Sequence, residues 1–237
     1  MSCKTAVIVF PGSNCDQDCV RSWKAITGGT AELVWHKESS IADYDVVILP
    51  GGFSFGDYLR CGAIARYSPV MNEVIRLAKR GTRIIGICNG FQILTEAHLL
   101  PGALLRNKGL AYLCKDIYLK VENNQTDFTS FYSPKAVVRI PIGHGEGSFT
   151  IAPAGLKKLQ DENRIVFRYC REDGTSDEST APNGSLDNIA GIINEQGNVL
   201  GMMPHPERLG EPVLGGEDGR YVFDSIFKAV TGQGGLN

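Results

Sequence analysis

Three uninterrupted apolar runs constrain the fold more than any other feature of the chain: "TAVIVF" (5–10), "DVVILP" (45–50) and "TRIIGI" (82–87). They are rich in β-branched residues and lack polar–apolar alternation, so each reads as a strand buried on both faces. "AELVWH" (31–36) supplies a further strand. Helical segments lie between them. After "PGSNCDQD", Ser13 or Asn14 can cap a helix through about Thr27. Ser68 and Pro69 suit the N-cap and first helical position of another, which stops near Arg80 at Gly81. Strands alternating with helices predict an α/β fold: a three-layer, open, mostly parallel central sheet with helices on both faces. Ligands bind such sheets beyond the carboxyl ends of the strands. Two glycine-rich strand ends, "LPGGFSFGD" and "GICNG", therefore belong at one site.

After Leu100 the pattern weakens. "DIYLKVEN", "AVVRIPIG", "RIVFRYC", "NIAGIIN" and "NVLGMMP" read as short strands, and "IIN-EQGN-VLGMM" as a hairpin. This half is the more antiparallel one and extends the sheet. The last helix is expected over 220–232, followed by a loose tail, "GQGGLN". No repeat or linker divides the chain, so residues 1–237 are expected to form a single domain.

Several function classes are excluded at this level. The net charge is −2 and no run of like charge occurs, which argues against nucleic acid and anionic membranes as partners. No apolar stretch approaches the ~20 residues of a membrane span. Seven cysteines, Cys3, Cys15, Cys19, Cys61, Cys88, Cys114 and Cys170, are scattered without a C-x-x-C pair. That pattern argues against a disulfide framework or a metal site and for a reducing cytoplasm. Cys15 and Cys19 read as buried thiols.

Cys88 is different. Gly86-Ile87-Cys88-Asn89-Gly90 has the spacing of a nucleophile elbow with Cys in place of Ser. A sharp strand-to-helix turn lifts the side chain above the sheet. Glycines two residues away on each side avoid collisions with neighbouring backbone. The helix N-terminus favours negative charge on sulfur, and the N–H of Asn89 can meet a developing oxyanion. A structural thiol between two packing glycines is the competing reading.

A catalytic thiol needs a base. The chain offers His36, His98, His144 and His205. His98 lies too far along the helix that the elbow starts, and His36 has no acid beside it. His205 sits in "GMMPHPERLG", with Glu207 two residues on. If the flanking prolines keep this segment extended, positions i and i+2 point the same way, and Glu207 can orient the imidazole. Cys88, His205 and Glu207 are thus the candidate catalytic set.

"GICNGFQ" followed far downstream by "PHPE" resembles the class I, or triad, glutamine amidotransferases. The resemblance implies Cys88 as nucleophile toward the carboxamide of glutamine, His205 as general base and acid, and Glu207 as its orienting partner. It also implies an oxyanion hole from Asn89 and from Gly52 or Phe53 in "PGGF", and a substrate-holding Gln92. The chain lacks the G-x-x-x-x-G-K-[ST] phosphate loop, so an ATP-using synthetase is expected on a separate chain. Four further stretches resemble one subfamily: "VFPGSNCDQD", "PGGFSFGDYLRCGAIA", "GHGEGSF" and "APNGSLDNIAGIINEQGNVLGMMPHPER". It is that of the glutaminase subunits of phosphoribosylformylglycinamidine synthase, in de novo purine synthesis. The resemblance implies no cofactor in this chain, with ATP and Mg²⁺ used by the partner synthetase, and a small accessory subunit beside it.

Other polar residues remain open. His144-Gly145-Glu146 copies the spacing of His205 and Glu207, and either faces the substrate or a partner or shapes a turn. Asp57 and Arg60 are either substrate contacts or surface ion pairs. Residues 107–133 have no assigned role. The alternative function is a Cys-dependent γ-glutamyl or other amide hydrolase of the same architecture. A binding domain without chemistry is disfavoured by the intact triad.

Overall fold

The structure, a computed structural model, describes residues 3–41 and 44–233. Its first half follows the apolar runs. Strand β1 (Lys4–Val9) leads into α1 (Asp16–Thr27), β2 (Thr30–Trp35) and β3 (Val46–Leu49). Helix α2 (Pro69–Lys79), β4 (Arg83–Ile87) and α3 (Asn89–Glu96) follow. The second half contains β5 (Ala103–Leu105), β6 (Leu113–Val121), β7 (Val137–His144), β8 (Ser148–Thr150) and α4 (Pro153–Asp161). Strands β9 (Ile165–Cys170), β10 (Ile189–Ile193) and β11 (Val199–Met202) precede the last helix, α5 (Arg220–Thr231).

Nine strands form one sheet in the order β2-β1-β3-β4-β11-β10-β9-β6-β7. The first five run parallel to their neighbours. The last four extend the sheet antiparallel. All four residues of β3 are buried, as a strand covered on both faces requires. The expected hairpin is β10–β11. Its second strand also pairs in parallel with β4, placing Met202 opposite Ile87.

The chain runs from β1 outward to β2, then returns past β1 to β3 and β4. Right-handed crossovers put helices on opposite faces on the two sides of that reversal. The reversal opens a crevice at the carboxyl ends of β1 and β3. There an antiparallel bridge joins Ser13 to Gly52, so the loops after β1 and β3 meet. Helices α1 and α5 pack through Trp23 against Phe223 and Phe227. Among the described residues no helix is long and apolar enough to cross a membrane.

Three local outcomes differ from the sequence expectations. The N-cap position of α1 is Cys15, with no side-chain cap bond. Ser13 instead accepts the N–H of Phe10 (3.0 Å), and Asn14 accepts the Cys15 thiol (3.1 Å). The Ser68 hydroxyl leaves the α2 terminus for His36 Nδ1 (3.1 Å), though Pro69 does begin the helix. Helix α4 and the small β5–β8 pair are additions that the sequence pattern did not single out. Of the expected tail, residues 234–237 lie outside the described residues.

Candidate active site

Cys88 terminates β4 and occupies the N-cap position of α3, with φ 51° and ψ −106°. That conformation is strained for a residue with a Cβ, and such strain persists where the surrounding fold holds it. The hold is visible. The Cys88 N–H donates to the Met202 carbonyl at 2.8 Å, and its carbonyl accepts Phe91 N–H (3.0 Å) and Gln92 N–H (3.2 Å). The flanking glycines are needed for space. A Cβ on Gly90 would stand 2.0 Å from the Leu49 carbonyl oxygen, and one on Gly86 would stand 2.5 Å from that of Gly90. The thiol is 5 % exposed and lies 3.6 Å from the Gly143 carbonyl at the end of β7.

His205 and Glu207 follow β11, the strand beside β4. His205 Nδ1 and Glu207 Oε1 are 2.6 Å apart, and both side chains are buried. The route differs from the extended segment expected. Pro206 opens a 3₁₀ turn, Pro206–Arg208, which folds Glu207 back onto the imidazole. The carboxylate fixes the proton on Nδ1 and leaves Nε2 buried without a hydrogen-bond partner among the described residues. Burial pulls the His205 pKa down, but Glu207 and the Cys88 and Cys15 thiols pull it up by more, and the net direction is upward. This environment favours imidazolium at His205, the form that can donate a proton to a leaving nitrogen.

The backbone N–H groups expected to meet an oxyanion differ in their hydrogen bonds. Phe53 N–H is engaged by the Gly12 carbonyl at 2.9 Å. Gly52 N–H has no protein acceptor among the described residues, and neither has Asn89 N–H in the first turn of α3. Gly52, rather than Phe53, is therefore the residue whose N–H is available with that of Asn89. The Asn89 side chain accepts Ser54 N–H (3.2 Å) and donates to Gln92 Oε1 (2.9 Å). Gln92 in turn donates to the Glu146 carbonyl (2.5 Å). Elbow, loop 52–57 and the turn after β7 are thus joined by two carboxamides.

A cleft of about 330 Å³ opens over Cys88. Cys88, Gly52, Phe53, Asp57, Gln92, His144 and Glu146 line it, with Asn89, His205 and Glu207 outside the lining. Arg60 does not line it either. It makes a two-point pair with Glu96 (2.6 and 2.7 Å), tying the loop before α2 to the end of α3. His144 is buried against Asn107, whose Oδ1 lies 3.1 Å from its Nδ1. Burial, then the charge of nearby His205, lowers the His144 pKa to about 4, so it is neutral at pH 7.

Four contributors escaped the sequence reading: Cys15, Cys61, Arg106 and Tyr112. Cys15 Sγ, His205 and Glu207 place ligand atoms within 4.8 Å of one another. A metal is not the natural occupant, because the Arg208 guanidinium already donates to that sulfur at 3.0 Å. The usable signal was position: Cys15 follows a parallel strand at its carboxyl end, as Cys88 does. Cys61, Arg106 and Tyr112 line the cleft from loops with no local pattern. Leu110, Ala111 and Tyr112 give the first part of 107–133 a place in the cleft wall.

Comparison with known proteins follows the same lines. Residues 2–216 match the CobB/CobQ-like glutamine amidotransferase domain. The chain is 56% identical over 223 residues to a phosphoribosylformylglycinamidine synthase subunit PurQ of Gloeobacter violaceus, covering 94% of this chain and 96% of that one. It is 55% identical to the PurQ subunit of Moorella thermoacetica, covering 94% of each. Among solved structures, a chain of PurLQS from Thermotoga maritima superposes with a TM-score of 0.86 at 42% identity, over 98% of this chain and 100% of that chain.

Proposed function

The chain belongs to the CobB/CobQ-like glutamine amidotransferases, and on that premise we propose that it is the glutaminase subunit of phosphoribosylformylglycinamidine synthase. It works as a single glutaminase domain in the cytoplasm. The Cys88 thiolate attacks the carboxamide carbon of glutamine. The oxygen of the tetrahedral intermediate receives the N–H groups of Gly52 and Asn89. The His205 imidazolium gives its proton to the departing nitrogen, and ammonia leaves. Neutral His205 then takes a proton from water, whose oxygen displaces Cys88 from the thioester and releases glutamate. Glu207 keeps the imidazole oriented throughout. Gln92 holds the substrate side of the cleft.

The chain carries no cofactor of its own. Ammonia passes to a separate ATP-dependent synthetase, which uses Mg²⁺ and works with a small accessory subunit. That enzyme converts formylglycinamide ribonucleotide to the amidine. The single observation that carries this reading is the elbow thiol set beside a buried imidazole–carboxylate pair.

The test is ammonia transfer in a reconstituted mixture of this chain, synthetase, accessory subunit, formylglycinamide ribonucleotide, ATP, Mg²⁺ and glutamine. Amidine formed from glutamine should vanish in Cys88→Ala and return with ammonium salt. Product from ammonium alone, with the wild-type chain, would sink the assignment to this synthetase.

A further inference from the structure

The turn that carries Glu207 is fastened to helix α1. The Ser22 hydroxyl donates to the Glu207 carbonyl at 2.8 Å. One residue on, Arg208 Nη2 donates to the Cys15 sulfur at 3.0 Å. The Cys15 thiol itself donates to Asn14 Oδ1 (3.1 Å), so its lone pairs are left to accept the guanidinium. Arg208 Nε then lies 4.0 Å from Glu207 Oε1, the oxygen that meets His205 Nδ1 at 2.6 Å. It also lies 4.0 Å from Asp18 Oδ2. This Nε is buried and has no hydrogen-bond partner among the described residues. Charge and the Cys15 anchor hold it there.

At equal distance the two acids do not count equally. The Asp18 side chain is 42% exposed and its field is screened, whereas that of Glu207 is wholly enclosed. The guanidinium therefore acts chiefly on Glu207. The other groups around His205 do not replace it. Cys15 and, behind Arg208, Asp18 come from α1, Cys88 from the elbow, His144 from the end of β7, and Tyr112 from the loop before β6. His144 and the Tyr112 phenol are neutral at pH 7. Arg208 is the one permanent cation of this set. The reaction asks His205 to give a proton to nitrogen and then to take one from water. An imidazole under the pull of a buried carboxylate alone holds its proton too firmly to do both.

We propose that Arg208 is a positioning residue for this exchange: anchored on Cys15, it offsets the pull of Glu207 and lets the imidazole release and recover its proton. The proposal rests on the glutaminase reading given above.

The test is a histidine NMR titration of the full chain between about pH 5 and pH 10. Wild type, Arg208→Gln and Asp18→Asn are compared, with exposed His98 as the internal control. In Arg208→Gln the His205 midpoint should rise by about one pH unit or leave the range at its upper end. In Asp18→Asn it should fall, by less. A turn that had merely lost packing would not move the midpoint in opposite directions. Glutamate release by the reconstituted complex at neutral pH should drop about tenfold in Arg208→Gln and recover in Arg208→Lys, which keeps the charge. A His205 midpoint unmoved in Arg208→Gln overturns the proposal, as does a wild-type midpoint already above the range. Should Arg208→Gln fail to fold, Asp18→Asn decides, and a midpoint that rises or stays overturns it. None of these results touches the glutaminase reading, which falls if the wild-type complex makes amidine from ammonium and not from glutamine.

Discussion

His144-Gly145-Glu146 and His205-Pro206-Glu207 share a spacing and lie close enough for the charge of one imidazole to act on the other. Their chemistry is opposite. In the second, the carboxylate lies 2.6 Å from its imidazole and outweighs burial. In the first, Glu146 turns toward Arg106 and Cys61, and the imidazole meets a neutral carboxamide. Asn107 Oδ1 also accepts Gly147 N–H, and its Nδ2 donates to the Ala111 and His144 carbonyls. The amide is thus fixed with oxygen toward His144, which carries its proton on Nδ1. A carboxylate stabilises imidazolium; an amide oxygen does so far less. Residue spacing therefore does not make a catalytic pair. The backbone between differs: Pro206 opens a 3₁₀ turn that folds Glu207 onto His205, whereas β7 ends at His144, and Gly145 and Glu146 lie in a bend.

The sharpest test of this contrast exchanges each carboxylate for its amide. Glu207→Gln should lower kcat for glutamine-dependent amidine formation by about a thousandfold, by loss of the orienting, charge-stabilising partner. Glu146→Gln should lower kcat far less, because Glu146 does not pair with its imidazole. Steady-state kinetics of both variants would erase the distinction if their kcat losses were equal.

The next effect is on acid stability. His144 has a folded pKa near 4, below its free value of 6.5. The unfolded chain therefore takes up this proton first as pH falls. Stability on this account is full above about pH 6.5 and declines toward pH 4, by up to about 3 kcal/mol. Denaturation midpoints followed across that window should slope less in His144→Gln. An unchanged slope would mean that His144 is not the buried neutral imidazole described here.

The smallest effects separate two glycines of the same loop. A Cβ on Gly147 would lie 2.3 Å from the His144 ring, whereas one on Gly145 meets nothing closer than 3.8 Å. Gly147→Ala should cost about 1–3 kcal/mol through displacement of the ring, and Gly145→Ala less than about 1 kcal/mol. Thermal or chemical denaturation of the two variants in parallel gives the comparison, and a reversed order would contradict the packing.

The parts legible in the sequence were those whose cause is local. Strands β1, β3 and β4 follow from continuous apolar runs, and α2 from Ser68-Pro69. The Cys88 elbow follows from two glycines whose necessity the structure makes explicit. Glu207 was legible as a partner of His205, though through a different backbone geometry. What stayed hidden depends on strand order. Cys15 reaches His205 because β1 lies three places from β11 on the same edge of the parallel sheet, and its position after β1 was the one local sign of that. Asn107, Cys61 and Arg106 act across loops that meet only when β7 closes the cleft. Arg60 carried no local sign that Glu96, at the end of the second α-helix after it, would bind it. Helix α4 has Pro153 at its start but a single fully buried residue, Leu159, and so a faint pattern.

The Cys88 N–H rests on the carbonyl of Met202, and Met202 belongs to the last strand of the sheet to be synthesised. That strand sits between β4 and β10, in the interior of the sheet. A ribosome that has delivered the thiol has therefore not yet delivered the imidazole and carboxylate proposed to work with it, or the strand that braces the elbow. The pairing is long in sequence separation, and contacts of that kind form late in folding. An unfinished chain thus has no means of activating Cys88, and the capacity to cleave an amide arises together with the completed core.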